Sequence, residues 1–283
     1  MTNKTKSVVF MLISAFAFAV TQAFVKLAGD LPSYEKVFFR NIVSLLIAAV
    51  ICFKNGSALF GKKESAKFLI SRSLLGAIGM VLYFYSISHL ILADAAILNK
   101  LSPFFVTIFA VIFLKEKISK VQVPSMIIIF LAALLIVKPR FELSILPALA
   151  GFGSAVFAGA AYTLVRVLGG KERPETIIFV FSLITTLLMV MMMLFGTFTI
   201  PSTKQLIFLL STGLTAAVGQ FGLTHAYRLA PANEVAIYNY TSIVFAGILG
   251  FLFWRELPDM LSLIGSITII FVSIYLYFYN KRF

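Results

Sequence analysis

The residues of this chain that could do chemistry are cations placed inside long apolar segments. Five lysines and arginines interrupt these segments: Lys26, Arg40, Arg72, Lys100 and Arg166. A charge at the centre of a bilayer costs about 2.5 to 3.5 kcal/mol on insertion scales, so each should face a cavity, a partner or a bound ion. The segments hold few acidic residues, and these lie near the segment ends: Glu35, Asp94, Glu175 and Glu234. The excess of cations favours a ligand with a carboxylate, such as an amino acid or organic anion, over a purely cationic one.

Lys100 lies in the stretch ILNKLSPFF and is the first candidate for substrate binding. The positions at helical spacing i, i+4, i+7 and i+11 are Ala96, Lys100, Pro103 and Thr107. Asn99 adjoins this stripe, so the polar side of the helix is narrow and continuous. Two interpretations of Lys100 stay open: it lines a cavity, or it reaches the outer interface or pairs with Asp94. Pro103 lacks an N–H and frees the carbonyl of Asn99, which predicts a kink where a gate could act.

Two more candidates lie on the preceding segments. Arg40 sits six residues into its segment, where it either contacts substrate or snorkels or pairs with Glu35. Arg72 lies close to Lys67 at the end of its segment, so we expect it to snorkel. Tyr83 shares a helical face with Arg72 and two glycines, and it offers a hydroxyl to a ligand.

The second half of the chain supplies amides and hydroxyls instead of cations. Its candidate substrate-binding residues are Gln220, Thr224, Tyr238, Asn239 and Tyr240. Buried amides must find hydrogen bonds, so Gln220 and Asn239 either bond across helices or bind cargo. Together with Lys100, Asn99, Arg40 and Tyr83, these residues make up the predicted binding site.

The elements that position these residues are membrane-spanning helices. Of the 283 residues, 60% are hydrophobic and 12% charged, more apolar than a soluble domain of this length can bury. Ten apolar runs have the length that crosses a bilayer as a helix. They are Ser7–Ala28, Tyr34–Phe53, Phe68–Leu90, Leu92–Leu114, Val121–Val137, Ile145–Leu168, Thr176–Phe195, Leu206–Tyr227, Ala232–Trp254 and Met260–Tyr279. The runs do not alternate, so the chain is predicted to be an all-α integral membrane protein.

The basic residues predict the orientation in the membrane. Of the 24 lysines and arginines, five lie in spans and five on one side of the predicted topology, which leaves 24 − 5 − 5 = 14 on the side that holds both termini. The five on the first side are Lys36, Lys138, Arg140, Lys204 and Arg255. The positive-inside rule therefore places both termini of a multi-pass protein in the cytoplasm. The net charge of +13 reflects this topology and does not indicate a nucleic-acid partner.

The sequence repeats itself at an offset of 140 residues. ADAAILNKLSPFFVTIFAVIFLKE, residues 93–116, matches NEVAIYNYTSIVFAGILGFLFWRE, residues 233–256, without a gap and with eight identities in 24 positions. The same offset pairs Gly79 with Gly219 and Glu35 with Glu175. We interpret residues 1–140 and 141–283 as two five-helix repeats. Because five is odd, the second repeat must be inverted in the membrane, an architecture typical of secondary transporters with a substrate site near the midplane.

The sequence resembles the drug/metabolite transporter superfamily, and within it the EamA family. The segments that carry the resemblance are FFRNIVSLL, SRSLLGAIGMVLYFYSIS, NKLSPFF followed by LKEKIS, and FWRELP in the second copy. The resemblance covers essentially the whole chain and implies a transporter of small metabolites in the cytoplasmic membrane, with two five-helix halves. The second copy departs from the pattern at Ile243, where the proline is missing. The two halves are therefore expected to have unequal mechanical roles.

The sequence predicts a secondary transporter, working by alternating access around a midplane cavity. Its cargo would be a small polar metabolite, exported as a monomer or homodimer in the lipid bilayer. No phosphate-binding loop, metal-binding cluster or serine elbow is found, so no cofactor, metal or catalysis is expected. The alternatives are a passive channel or lipid scramblase and, more distantly, a membrane enzyme.

Overall fold

The structure is a computed structural model that describes residues 3–115, 121–137, 145–168, 171–229, 238–239 and 241–282. Within these residues the chain forms eleven α-helices and a 3-10 turn at Lys63–Ser65. The helices are α1 (Asn3–Leu27), α2 (Ser33–Asn55), α3 (Ala66–His89), α4 (Leu92–Asn99), α5 (Ser102–Leu114), α6 (Gln122–Val137), α7 (Leu146–Leu168), α8 (Pro174–Phe195), α9 (Thr203–Leu229), α10 (Thr241–Trp254) and α11 (Met260–Arg282).

The helices correspond to the ten predicted spans, because α4 and α5 share the fourth. In the described part of the chain, seven spans are long and apolar enough to cross a membrane, and three shorter apolar helices coincide with the remaining predictions. Small residues face inward: Ala15, Ala19 and Ala23 of α1 are almost fully buried. Large apolar residues face outward, as Val50 and Phe53 of α2 do with exposures of 65% and 74%. Close packing of small residues is what holds helices together where lipid competes for large apolar side chains.

The two halves pack as an inverted repeat. Helix α2 and its counterpart α8 run antiparallel: Tyr34 at the start of α2 donates to the Thr197 carbonyl beyond the end of α8 at 2.5 Å. At the other end of the pair, Ser57 donates to Glu175 at 2.6 Å. Helix α1 packs along α9, and the related pair α3 and α7 packs in the same way. The predicted inversion is confirmed, while the boundary between residues 140 and 141 lies outside the described residues and stays a prediction.

Equivalent glycines make equivalent contacts in the two halves. A Cβ on Gly79 of α3 would lie 3.3 Å from the Ser154 carbonyl oxygen of α7. At the related position, the hydroxyl of Ser14 in α1 donates to the Gly219 carbonyl of α9 at 2.6 Å. Gly79 and Gly219, like Ser14 and Ser154, are the residues that the offset of 140 pairs. The duplication therefore brings the same pairs of residues together in both halves.

The fourth span is interrupted at Lys100 and Leu101, at the place where the sequence predicts a kink. The Leu101 N–H turns back to the Leu98 carbonyl at 3.1 Å, so the last turn of α4 tightens before α5 begins. Pro103 is the second residue of α5, where a helix needs no N–H from it. In the second half α10 begins at Thr241, next to the repeat counterpart of Ser102. The helix start is thus retained where the proline is not.

We expect Gly159→Ala to destabilise the protein because α5 lies directly on this residue of α7. A Cβ there would overlap the Cβ of Phe105 and lie 3.1 Å from the Ser102 carbonyl oxygen. Overpacking of this kind costs about 1 to 3 kcal/mol. The measurement is the melting temperature of the detergent-solubilised protein.

The matched control is Gly153→Ala on the same helix, whose Cβ would meet only Leu82 Cδ1 at 3.5 Å. Its melting temperature should be unchanged or slightly raised, since alanine favours helix over glycine by about 1 kcal/mol. Equal melting temperatures for the two variants would contradict the close approach of α5 to α7.

Candidate functional site

Lys100 contacts the second half of the molecule. It is half-buried at the break between α4 and α5, and its Nζ donates to Asn239 Oδ1 at 3.1 Å. Asn239 is the repeat counterpart of Asn99, so the lysine of one copy is held by the equivalent segment of the other. Asp94, the acidic partner that the sequence suggested, instead accepts a hydrogen bond from Ser262 of α11 at 3.2 Å. Lys100 therefore keeps its charge beside a neutral oxygen.

Arg40 is held by the residue that follows it. Its Nη1 donates to Asn41 Oδ1 at 3.1 Å. The amide nitrogen of Asn41 in turn donates to the Val37 carbonyl and to the sulfur of Met80 on α3, at 2.9 and 3.2 Å. The suggested pairing with Glu35 does not form, since Glu35 accepts the backbone N–H of Thr199 at 2.8 Å. Arg40 is thus a second cation with a neutral partner.

Arg72 does not snorkel, which makes that expectation wrong. Its guanidinium stacks on Phe181 of α8, with Cζ 3.8 Å from the ring centre. Nε and Nη1 are buried and have no hydrogen-bond partner within the described residues. Gly76, one turn further along α3, makes room for this ring, because a Cβ there would lie 2.8 Å from Phe181 Cε2. A glycine one turn after an arginine is the signal in the sequence that could have indicated this packing.

Tyr83 and Tyr162 complete a cluster with the two arginines. Tyr162 of α7 lies within electrostatic range of both arginines and of Tyr83. Arg72 also interacts with Arg40, so the two guanidinium groups repel each other. We call Arg40, Arg72, Tyr83 and Tyr162 the arginine–tyrosine cluster. It joins α2, α3 and α7, and only two of its members were predicted site residues.

The remaining predicted site residues divide by where they lie. Asn99 ends α4 and is half-buried, Gln220 is half-buried in α9, and Tyr238 exposes 37% of its surface beside Asn239. Tyr240 and the side chains of Pro103 and Thr224 lie outside the described residues. Among these predicted residues the structure therefore brings Lys100 into contact with Asn239, while the gating role of Pro103 stays a prediction.

The sequence did not predict the partners of two buried lysines. Lys26, in the last turn of α1, forms an ion pair with Glu256 beyond α10, donates to the Leu90 carbonyl at 2.6 Å and lies 5.3 Å from the centre of the Trp254 ring. Glu256 also accepts the Leu92 N–H at the start of α4 at 3.1 Å. Lys36 is fully buried and donates to Ser88 at 2.6 Å. Neither contact follows from spacing along one helix, because each partner comes from a distant segment.

The comparisons with known proteins agree with this architecture. The EamA-like transporter family matches residues 5–138 and again residues 145–279. The chain is 36% identical to a pseudopaline exporter of Pseudomonas aeruginosa, over 94% of both chains. It is 28% identical to human solute carrier family 35 member G1, over 92% of this chain and 76% of that one. It is 24% identical to a riboflavin transporter of Brucella anthropi, over 94% of this chain and 96% of that one.

A solved crystal structure shows the same fold. It superposes with a TM-score of 0.68 over 98% of both chains at 13% sequence identity. Two matched repeats, ten apolar spans and buried cations define a multi-pass membrane transporter and not an enzyme. The chain belongs to the EamA-like transporter family, and the resemblance drawn from the sequence is confirmed.

We expect Glu256→Gln to lower the stability of the protein, because it leaves the buried Lys26 without its counter-charge. The two side chains are only 10% and 18% exposed, and removing one partner of a buried pair costs about 3 to 5 kcal/mol. The measurement is thermal unfolding in detergent. The double variant Lys26→Met/Glu256→Gln should recover part of the loss; additive losses in a double-mutant cycle would show that the pair is uncoupled.

Proposed function

We propose that this protein is a secondary transporter that exports a small metabolite carrying a carboxylate. It would act in the cytoplasmic membrane, with both termini in the cytoplasm, as a monomer or homodimer. The observation that carries the proposal is the imbalance of charge in the interior. Among the described residues, Lys26 has an acidic partner, while Lys100, Arg40 and Arg72 have neutral partners or none. Cations held this way attract an anionic cargo.

The relatives support transport and export in particular. A protein 36% identical over 94% of both chains is named as a pseudopaline exporter. Pseudopaline is therefore the first cargo to test, beside amino acids and simple organic anions. The more distant riboflavin transporter indicates that cargo differs within the family. The charged interior of this chain, and not the family alone, is the reason for proposing a carboxylate.

Lys100 links the two halves, and in the proposed transport cycle the binding of cargo would break this link. Its ammonium bridges α4 of the first half to Asn239 of the second. A cargo carboxylate that replaces the amide oxygen of Asn239 would form a charge-assisted hydrogen bond, about twice as strong as a neutral one. Binding would then release the contact between halves at the break of the fourth span. This couples occupancy to the rocking motion that alternating access requires.

We expect Lys100→Ala and Arg40→Ala to reduce transport in proteoliposomes. Each removes a cation whose hydrogen bonds to an anion are worth about 1.5 to 3 kcal/mol, so the apparent affinity should fall about tenfold or more. The measurement is saturable uptake or efflux of radiolabelled cargo, with counter-transport as a second readout.

The control is Lys54→Gln, which removes one charge from the exposed end of α2. Its transport should equal that of the wild type. Normal flux in both the Lys100 and Arg40 variants would reject the assignment of these residues. Rates that rise linearly with concentration and show no counter-transport would favour a channel or scramblase instead.

A further inference from the structure

We propose that Arg72 and Arg40, together with Tyr162, form an anion-binding site of this transporter, and that Phe181 holds the Arg72 guanidinium in it. The inference rests on the proposed function and deepens it, since it names cations that bind an anionic group of the cargo in addition to Lys100. Arg72 is a specificity-determining residue under this proposal. Its position near the end of a span had suggested only a surface role.

The first argument is the state of the Arg72 guanidinium. It is stacked on Phe181 at 3.8 Å, and a planar cation on an aromatic face is fixed in orientation. Its Nε and Nη1 are buried without a hydrogen-bond partner in the described part of the chain. A buried donor without an acceptor costs free energy. A carboxylate oxygen is the acceptor that best relieves this cost, because both charge and hydrogen bonds are satisfied.

The second argument is the nearby Arg40. The two arginines lie within electrostatic range of each other, so their like charges repel, and Tyr162 lies within the same range of both. Like charges in an interior of low dielectric constant interact strongly, so an anion between them lowers the energy of both. Because α2 and α3 run antiparallel, Arg40 lies toward one end of the membrane and Arg72 toward the other. An anion bound by both is therefore near the middle of the molecule.

The third argument concerns the acidic residues of the spans. Those described in the structure are engaged elsewhere: Glu35 with Thr199, Asp94 with Ser262, Glu175 with Ser57, and Glu256 with Lys26. None of these partners belongs to the arginine–tyrosine cluster. Among the described residues, no carboxylate is paired with the cluster, and a bound anion would supply the counter-charge.

The position of Tyr162 indicates that a ligand can reach the cluster. Tyr162 follows Ser154 and Ala158 at i+4 spacing, and these two residues face α3 at Gly79. Tyr162 therefore points toward α3, yet it exposes 53% of its surface. A side chain on an inward face with half its surface open lines a space between helices. Its hydroxyl is available to donate to the same anion.

The experiment compares an anion with its neutral isostere on the purified full chain in detergent. Succinate and L-glutamate are the anionic probes, and succinamide is the neutral one. Binding is measured by thermal shift and calorimetry in a buffer of low ionic strength. We expect the anions but not succinamide to stabilise the wild type and Lys54→Gln. Arg72→Gln and Arg40→Gln should each weaken anion binding about tenfold to a hundredfold.

A second variant covers the case in which Arg72→Gln fails to fold. Gly76→Ala keeps every charge but places a Cβ 2.8 Å from Phe181 Cε2, so the ring and the guanidinium on it must shift. Succinate affinity should fall in this variant, while Gly153→Ala should bind as the wild type does. Arg72→Lys should recover little, since an ammonium does not reproduce the planar stacking.

Two outcomes overturn the inference: neither anion stabilises the wild type, or anion binding is unchanged in the Arg72 and Gly76 variants. The proposed function is tested separately, by flux in proteoliposomes. Anion binding that depends on Arg72 without saturable flux of any cargo would reject the transport proposal and leave the anion site. Saturable flux that does not depend on Arg72 would support the transport proposal and reject the anion site.

Discussion

A cation inside the hydrocarbon layer must be neutralised, hydrogen-bonded or reached by water, and this constraint organises the interior of the protein. Lys26 meets it with an ion pair, a carbonyl and an indole ring. Lys36, Lys100 and Arg40 meet it with neutral oxygens of Ser88, Asn239 and Asn41. Each solution costs less than an isolated charge. Only the ion pair cancels the charge, so the other cations keep their electrostatic field.

The inverted repeat determines how the helices that carry these cations pack. The residues that differ between its two copies determine where the charges lie. Gly79 lets α3 approach α7 closely, and Gly219 lets α9 approach α1 in the other half. The equivalence ends at the fourth and ninth spans, where Lys100 has Tyr240 as its counterpart and Pro103 has Ile243. Both α5 and α10 nevertheless begin within one residue of matching positions. Backbone geometry is thus shared, and the charge is confined to one copy.

The contacts between halves lie at several depths. Lys26 with Glu256 ties the end of α1 to the segment beyond α10, and Lys100 with Asn239 ties the broken span to the start of α10. Glu175 with Ser57 ties the far ends of α8 and α2. A rocking motion between halves must exchange some of these contacts and preserve others. Of the two lysine contacts, the one between Lys100 and Asn239 has a neutral partner and lies in a non-helical segment, so under the proposed function it is the less costly one to exchange.

The sequence by itself determined the ten spans, the duplication at 140 residues, the inversion and the kink at Lys100, because hydropathy, an odd span count and proline chemistry are local or periodic properties. The tertiary structure decided how each helix is rotated, and with it the partners of the cations. Arg72 illustrates the difference: its place in the sequence allows snorkelling, but Phe181 from a helix about a hundred residues away holds it inside. Such a choice depends on which faces of distant helices meet. The packing of small residues determines which faces meet, and the spacing of residues within a single helix does not predict that packing.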